Sequence, residues 1–285
     1  MDDATSVTVT GTGTPLARPG IAGAGVMVRA DGLAMQFDAG RATVLRLAEL
    51  DIDLTNLTAV FVTHHHSDHM VGLADLLMTR WLSDIERRGQ EPLPVIAPAG
   101  EASEIAAHVL DVWRNEIELR ALHTNRLDRP FPDVRSFPAP DLPIVVFERG
   151  AVRVSAVAVR HEPVVPAVGY RIDTSRGSVV ISGDTRVCME MERLAADADV
   201  LVHEAFRMEG TAGILSDPGR LAAYHADTVE LGAMAARAGV GTLVLTHLIP
   251  PLRDPGDRTL YENDVRSGGF AGRVVVADDL ATVRL

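Results

Sequence analysis

Seven consecutive residues, Thr63-His64-His65-His66-Ser67-Asp68-His69, place four imidazoles and a carboxylate at the end of the apolar run Leu57-Thr58-Ala59-Val60-Phe61-Val62. That run reads as a buried strand, so the cluster sits where a strand gives way to a loop. Histidines and carboxylates crowded this closely repel and compete for protons unless a positive charge organises them, and a divalent metal does so. Residues 64 and 66 project the same way from extended backbone, whereas 68 and 69 come after the chain has turned. The spacing His64-x-His66-x-Asp68-His69 therefore offers two pairs of ligands and predicts two neighbouring metals. His65 is read as a bystander.

The chain has 285 residues, enough for one large α/β domain or two modest ones with a substantial core. Met1-Asp2-Asp3-Ala4-Thr5-Ser6 is acidic and lacks the basic-then-apolar pattern of a signal peptide. No apolar run approaches the length that crosses a bilayer, so no membrane association is expected. Cys188 is the single cysteine, which rules out an internal disulfide and fits a reducing compartment. The expected location is the cytoplasm. The formal charge is −12, and all 27 basic residues are arginine. A surface that grips long nucleic acid usually carries a basic face, and here the average field is repulsive.

Val7-Thr8-Val9-Thr10 reads as a strand ending in the turn Gly11-Thr12-Gly13-Thr14-Pro15. Strands follow at 24–30 and 33–37, the latter running into Asp38-Ala39-Gly40, and a helix at 42–49 leads to the strand before the histidine cluster. After His69, the recurrence of Leu73, Leu76, Leu77 and Trp81 predicts an amphipathic helix with Arg80, Asp84 and Glu86 on its wet side. A short strand at 95–97 and a helix at 101–115 come next. Five prolines between 125 and 145 predict a loop or an irregular edge. Residues 152–159 form the clearest strand of the second half, followed by strands at 167–174 and 178–182 with Arg176-Gly177 between them. A segment at 199–202, a helix at 228–238 and a strand at 242–245 complete the pattern. The order β-rich, α, β-rich, α suits two β-sheets packed face to face with helices outside. The expectation is a single domain over 1–285 with two similar halves, about 1–145 and 146–285.

Strand ends in the second half carry further candidates. They are His161, Asp184 in Gly183-Asp184-Thr185, the pair His203-Glu204, and His247. Alone, each fits a hydrogen-bonded structural residue or a turn cap. Together with the first cluster they supply the imidazoles and the bridging carboxylate that a two-metal site needs.

On these residues the chain resembles the metallo-β-lactamase-fold hydrolases and, within them, is similar to the ribonuclease Z branch. The resemblance rests on Gly11-Thr12-Gly13, Phe37-Asp38-Ala39-Gly40, Thr63 to His69, and His161 with Gly169-Tyr170-Arg171-Ile172. It extends through Ser182-Gly183-Asp184-Thr185, His203-Glu204-Ala205, His225 and Thr246-His247. It implies a four-layer αββα sandwich. It further implies that His64, His66 and His161 hold one metal, that Asp68, His69 and His247 hold a second, and that Asp184 bridges them. Two Zn2+ per chain are expected, with Mn2+ or Fe2+ as alternatives, and a hydroxide held between them as the nucleophile. By the same resemblance His225, oriented by Glu204, protonates the leaving oxygen, and Asp68 belongs to the catalytic machinery. Asp38 is expected to order the loop beneath the metals.

Ribonuclease Z enzymes that process tRNA carry an RNA-gripping arm between the third histidine ligand and the bridging aspartate. Only 22 residues separate His161 from Asp184, enough for two strands and a turn. With the charge of −12, this favours a small-molecule ester as the partner, a small phosphodiester or aryl sulfate, and disfavours nucleic acid. Cleavage of the 3′ side of tRNA precursors is the alternative function, and lactone or amide hydrolysis a further one. Residues 125–145 and 208–224 are expected to shape the substrate pocket. A homodimer is compatible with the sequence, dimers being the commonest closed assembly.

Overall fold

The computed structural model describes residues 5–84, 89–211 and 217–285. In the first half, β1 (Ser6–Gly11), β2 (Gly25–Ala30) and β3 (Leu33–Phe37) form an antiparallel meander, followed by α1 (Thr43–Glu49). Then β4 (Ala59–Phe61) runs parallel to β3 and leads into α2 (Ser67–Met70) and α3 (Leu73–Ser83). Next come β5 (Pro94–Pro98), α4 (Glu101–His108), α5 (Arg114–Thr124) and β6 (Asp133–Phe137), with β4, β5 and β6 parallel.

The second half follows the same order, antiparallel strands first and parallel strands with helices after. Antiparallel β7 (Ile144–Arg149), β8 (Val152–Ala158), β9 (Val168–Thr174) and β10 (Gly177–Ile181) come first. After them, α6 (Met189–Leu194), β11 (Val200–Phe206), α7 (Pro218–Ala222), α8 (Thr228–Arg237), β12 (Thr242–Ile249), α9 (Gly256–Ser267) and β13 (Arg273–Val276) make a parallel sheet flanked by helices. The last strand, β14 (Thr282–Arg284), returns to pair with β1.

The result is two seven-stranded sheets, ordered β14-β1-β2-β3-β4-β5-β6 and β13-β12-β11-β10-β9-β8-β7. Between them lies one apolar layer in which Val7, Val9, Phe37 and Phe61 of the first sheet meet Val154, Tyr170, Val202 and Val244 of the second. The rings of Phe37 and Phe61 stack with centroids 4.6 Å apart, and Tyr170 meets both edge-on. A second layer packs α1, α3, α4 and α5 onto the outer face of the first sheet through Leu47, Leu73, Trp81 and Ile117. A third packs α6, α8 and α9 onto the other sheet through Met191, Leu231, Met234 and Val265. This is the four-layer αββα sandwich. The apolar run through β4 shows no alternation because both of its faces are covered: Ala59 and Phe61 face the sheet interface, Val60 and Val62 face helices. Among the described residues no helix is long and apolar enough to cross a membrane.

Several expectations change. The helix at 101–115 breaks after His108 and restarts at Arg114, through a 3-10 turn at Asp111–Trp113. The proline-rich stretch is not merely a loop. Its prolines flank β6, which lies at the sheet edge where a missing N–H donor is tolerated. Arg80 and Asp84 are half-buried rather than wet, because Arg80 donates to the Glu91 carbonyl and Asp84 pairs with Arg126. Glu86 lies outside the described residues. The turn between β9 and β10 is Ser175-Arg176, one position earlier than expected.

Candidate metal centre

The ends of β4, β10, β11 and β12 meet at one rim of the sandwich, and the join is tight. Val168 N–H donates to the Thr63 carbonyl at 3.0 Å, tying the start of β9 to the loop after β4. Gly183, just past β10, has φ +61, and a Cβ there would lie 2.7 Å from Thr63 Cβ. Only glycine permits both the turn and the approach that brings Asp184 to the histidine loop.

His64, His66, His161 and Asp184 form one group whose ligand atoms all lie within 4.8 Å of one another, and Asp68, His69 and His247 form another. His66 Nδ1 lies 3.0 Å from His64 Nε2 and 3.3 Å from His161 Nε2. The opposite ring nitrogens are committed elsewhere. His64 Nδ1–H donates to Thr63 Oγ1 (3.0 Å), which itself donates to Asp38, and His161 Nδ1–H donates to the Tyr224 carbonyl (3.0 Å). Burial holds His64, His66 and His161 below the ordinary imidazole range. With the outer N–H groups of His64 and His161 occupied, their Nε2 lone pairs turn inward and converge on His66 Nδ1. Lone pairs this close repel unless a cation lies among them.

The second group has the same construction. His69 Nδ1–H donates to Asp38 Oδ2 at 2.7 Å, leaving Nε2 buried without a hydrogen-bond partner. Asp68 Oδ2 lies 3.2 Å from His247 Nε2 and 3.8 Å from His69 Nε2. Asp184 stands between the groups, with Oδ1 3.4 Å from His69 Nε2 and Oδ2 3.5 Å from His247, 3.9 Å from His161 and 4.0 Å from His64. Burial opposes ionisation of Asp184, yet His247 and His69 outweigh it and hold the carboxyl well below its usual range. Burial likewise opposes a charge on His69, but Asp184 and Asp38 raise it well above the ordinary value. The pocket is negative enough to draw a positive charge into itself. Inward lone pairs, orphaned Nε2 and Asp184 Oδ1 atoms and a carboxylate between the groups all fit a pair of divalent ions.

His247 owes its position to an irregularity in β12. Glu204 pairs with Thr246 and Ala205 with Leu248, so His247 is the extra residue of a bulge, with φ 46. A bulge re-aims a side chain out of the strand's alternation. Directly opposite, Glu204 Oε1 accepts hydrogen bonds from His225 Nδ1 (2.9 Å), Ala226 N (3.1 Å) and Thr185 N (3.3 Å). The His225 ring lies 5.4 Å from that of His161 and stacks 5.7 Å from that of His247, centroid to centroid. Burial works against a charge on His225, but Glu204's charge and hydrogen bond outweigh it and push the imidazole up to about 9.

All nine residues singled out from the sequence thus converge on one rim. Asp38 is where it was expected, beneath the cluster, accepting from Thr63 N and Oγ1 (2.8 Å each) as well as from His69. His65 stands apart from both ligand groups. His203 points away from them, its Nδ1 bonded to the Glu204 carbonyl at 2.7 Å. Two contributors escaped sequence reasoning. Thr63 relays between Asp38 and His64, and Tyr224 supplies the carbonyl that orients His161. Every residue has a carbonyl, so nothing in the sequence could mark Tyr224. Of the expected pocket segments, 125–145 supplies edge strand β6, and part of 208–224 lies outside the described residues.

Residues 32–248 match the Beta-lactamase superfamily domain. Over 283 residues, 98% of each chain, the sequence is 38% identical to ribonuclease Z of Mycobacterium avium (strain 104). It is 35% identical over 281 residues, again 98% of each, to ribonuclease Z of Mycobacterium bovis (strain BCG / Pasteur 1173P2). Among solved structures it is similar to human tRNase Z, short form, with a TM-score of 0.69 and 22% identity over 98% of both chains. It is also similar to the metallo-beta-lactamase fold protein YhfI from Bacillus subtilis, with a TM-score of 0.76 and 20% identity over 99% of this chain and 100% of that one.

These relatives overturn the expectation of a small-molecule ester partner with nucleic acid disfavoured. Proteins named ribonuclease Z align along 98% of their own length, which leaves no room for a long insertion that this chain lacks. The short segment between His161 and Asp184 therefore does not set the chain apart from them. The charge of −12 misled for a separate reason: an average over a whole surface says little about the potential at one rim.

Proposed function

The chain belongs to the ribonuclease Z family of the beta-lactamase superfamily, and from that premise we propose that it is a two-metal endoribonuclease that cuts tRNA precursors on their 3′ side. The observation that carries this reading is the full-length match to ribonuclease Z relatives, joined to a complete ligand set with a hydrogen-bonded Glu204–His225 pair beside it. In this reading His64, His66 and His161 hold one ion, Asp68, His69 and His247 the other, and Asp184 bridges. An imidazole-rich set with few carboxylates suits zinc, with Mn2+ or Fe2+ as alternatives. Bound there, the ions supply Lewis acidity towards phosphoryl oxygens and towards an attacking water.

The remaining work falls to the chain's own side chains. Asp38 and Thr63 hold the imidazoles in register so that no reorganisation is needed when substrate arrives. With Nδ1 tied to Glu204, His225 keeps Nε2 as the nitrogen that carries a proton to the departing oxygen. As the water oxygen bonds to phosphorus and gives up one proton to solvent, the bond from phosphorus to the 3′ oxygen breaks and the His225 proton ends on that oxygen, after which His225 takes up a proton from solvent. The products are a 3′-hydroxyl on the tRNA and a 5′-phosphate on the trailer. Residues 1–285 are read as one working domain of two similar halves, which is supported by an inter-sheet core and ligand groups drawn from both.

The test is incubation of the zinc-loaded protein with a tRNA precursor carrying a 3′ trailer, at low salt where electrostatic binding is strongest. A single cut yielding a 3′-hydroxyl, abolished by a chelator and restored by zinc, is the expected result. Intact precursor under all metal loads, with a small aryl phosphodiester still hydrolysed, would reject the RNA assignment.

A further inference from the structure

A cavity of about 420 Å³ is lined in part by Leu248, the residue after His247, and by none of the candidate ligand residues. One wall is the loop after β1, carrying Leu16 and Arg18. The other is the segment after His247, carrying Leu248, Leu252, Arg253 and Arg258. Both walls are continuous with the centre. Leu248 directly follows His247, and on the first wall's return path a Cβ on Gly23 would lie 2.9 Å from the Asp68 carbonyl.

The walls are held in place by hydrogen bonds and carry three arginines, Arg18, Arg253 and Arg258. Asp279 accepts from Thr12 N, Thr12 Oγ1 and Ala22 N, which fixes the first loop. Arg18 spans the cavity by donating Nη1 to the Leu252 carbonyl at 3.0 Å. Arg258 is paired with Asp278, and the Asp254 carboxylate is engaged by Gly256 N–H at 2.8 Å. Exposed Arg253 makes no side-chain hydrogen bond among the described residues, although Asp257 feels its charge. The cavity thus carries leucine and proline side chains along its walls, with Arg18, Arg253 and Arg258 at its rim beside the lining carboxylates of Asp254 and Asp278 and with Asp257 next to Arg253.

We propose that this cavity seats one unpaired nucleotide of the RNA next to the scissile bond, its phosphate on Arg253 and Arg18 and its base against Leu16 and Leu252. The proposal rests on the ribonuclease reading above. A volume of this size falls in the range of small-ligand sites. An arginine fork matches two phosphate oxygens at once, and apolar side chains give a base a sequence-tolerant surface. In a chain with net charge −12, this places a local grip on the backbone where the cut is made.

The experiment compares wild type, Arg253→Ala and Leu16→Ser on a trailer-bearing tRNA precursor and on bis(p-nitrophenyl) phosphate, which carries no nucleotide. Both positions are exposed, so folding is expected to be unaffected, and unchanged hydrolysis of the small diester verifies that. For Arg253→Ala, KM for the precursor should rise about tenfold with kcat nearly unchanged, and the slope of log kcat/KM against log salt should shrink by about one. Leu16→Ser should raise KM without altering the salt slope. Wild-type KM and slope in Arg253→Ala would overturn the proposal while leaving the ribonuclease reading standing. A wild type that never cuts RNA would overturn both.

Discussion

Glu204 Oε1 lies 2.9 Å from His225 Nδ1, with both side chains buried beside the metal-ligand cluster. Glu204 sits in β11 opposite the bulge that re-aims His247, so one strand register sets both the proposed proton donor and a proposed ligand. A carboxylate behind an imidazole fixes its tautomer and favours its charged form. If His225 is the proposed acid it must be protonated, so turnover should fall as pH rises through its pKa, which Glu204 pushes up to about 9. Glu204→Gln removes the charge but leaves the burial, so the alkaline limb of the kcat–pH profile moves to lower pH. A fall of two units would cut the protonated fraction at pH 8 roughly tenfold. An unmoved limb would show that another group sets it.

His225→Ala removes the donor without touching a proposed ligand. Metal content measured by mass spectrometry is expected to stay at the wild-type level, while kcat on the tRNA precursor drops about 10²–10⁴-fold. Loss of metal alongside activity would instead make His225 a ligand, a role its proximity to Asp184 and His247 also permits.

Asp38 has φ 55, a conformation asparagine tolerates, so Asp38→Asn should preserve the backbone. An amide cannot accept from Thr63 N, Thr63 Oγ1 and His69 Nδ1 at once as the carboxylate does. Metal affinity should weaken about 10–100-fold, measured by competition with a chromophoric chelator. Wild-type affinity would mean that the ligand rings hold their orientation without Asp38.

Tyr170 bridges the two sheets beneath the site, its hydroxyl donating to the Val62 carbonyl at 2.7 Å in a fully buried setting. Tyr170→Phe keeps the ring contacts with Phe37 and Phe61 and deletes that bond. Denaturant titration should show a loss of about 1–2 kcal/mol with an unchanged m-value. No loss would mean that water replaces the hydroxyl.

The sandwich and the grouping of its candidate ligands were legible because each signal is local. A buried strand declares itself by an apolar run, and His64-x-His66-x-Asp68-His69 puts four donors within six positions. The same holds for α8, whose Asp227 cap accepts from Val229 and Glu230 backbone N–H groups. What stayed hidden depends on contacts distant in sequence. β6 reads only as a loop or an irregular edge, and its pairing with β5 at the sheet edge comes from the sheet, not from its own propensity. β14 becomes a strand only by returning across the molecule to β1. The His247 bulge is visible only in the pairing of β11 with β12. The partner was misjudged by treating a short segment after His161 and an average charge as tests of RNA binding, when ribonuclease Z relatives match the chain over 98% of its length.

The most direct measurement titrates zinc into the metal-free protein while following cleavage of a trailer-bearing tRNA precursor. Activity should climb to its plateau at two equivalents of zinc per chain and vanish on chelation. A plateau at one equivalent would contradict the two-ion centre, and an uncut precursor at every zinc load would contradict the ribonuclease assignment.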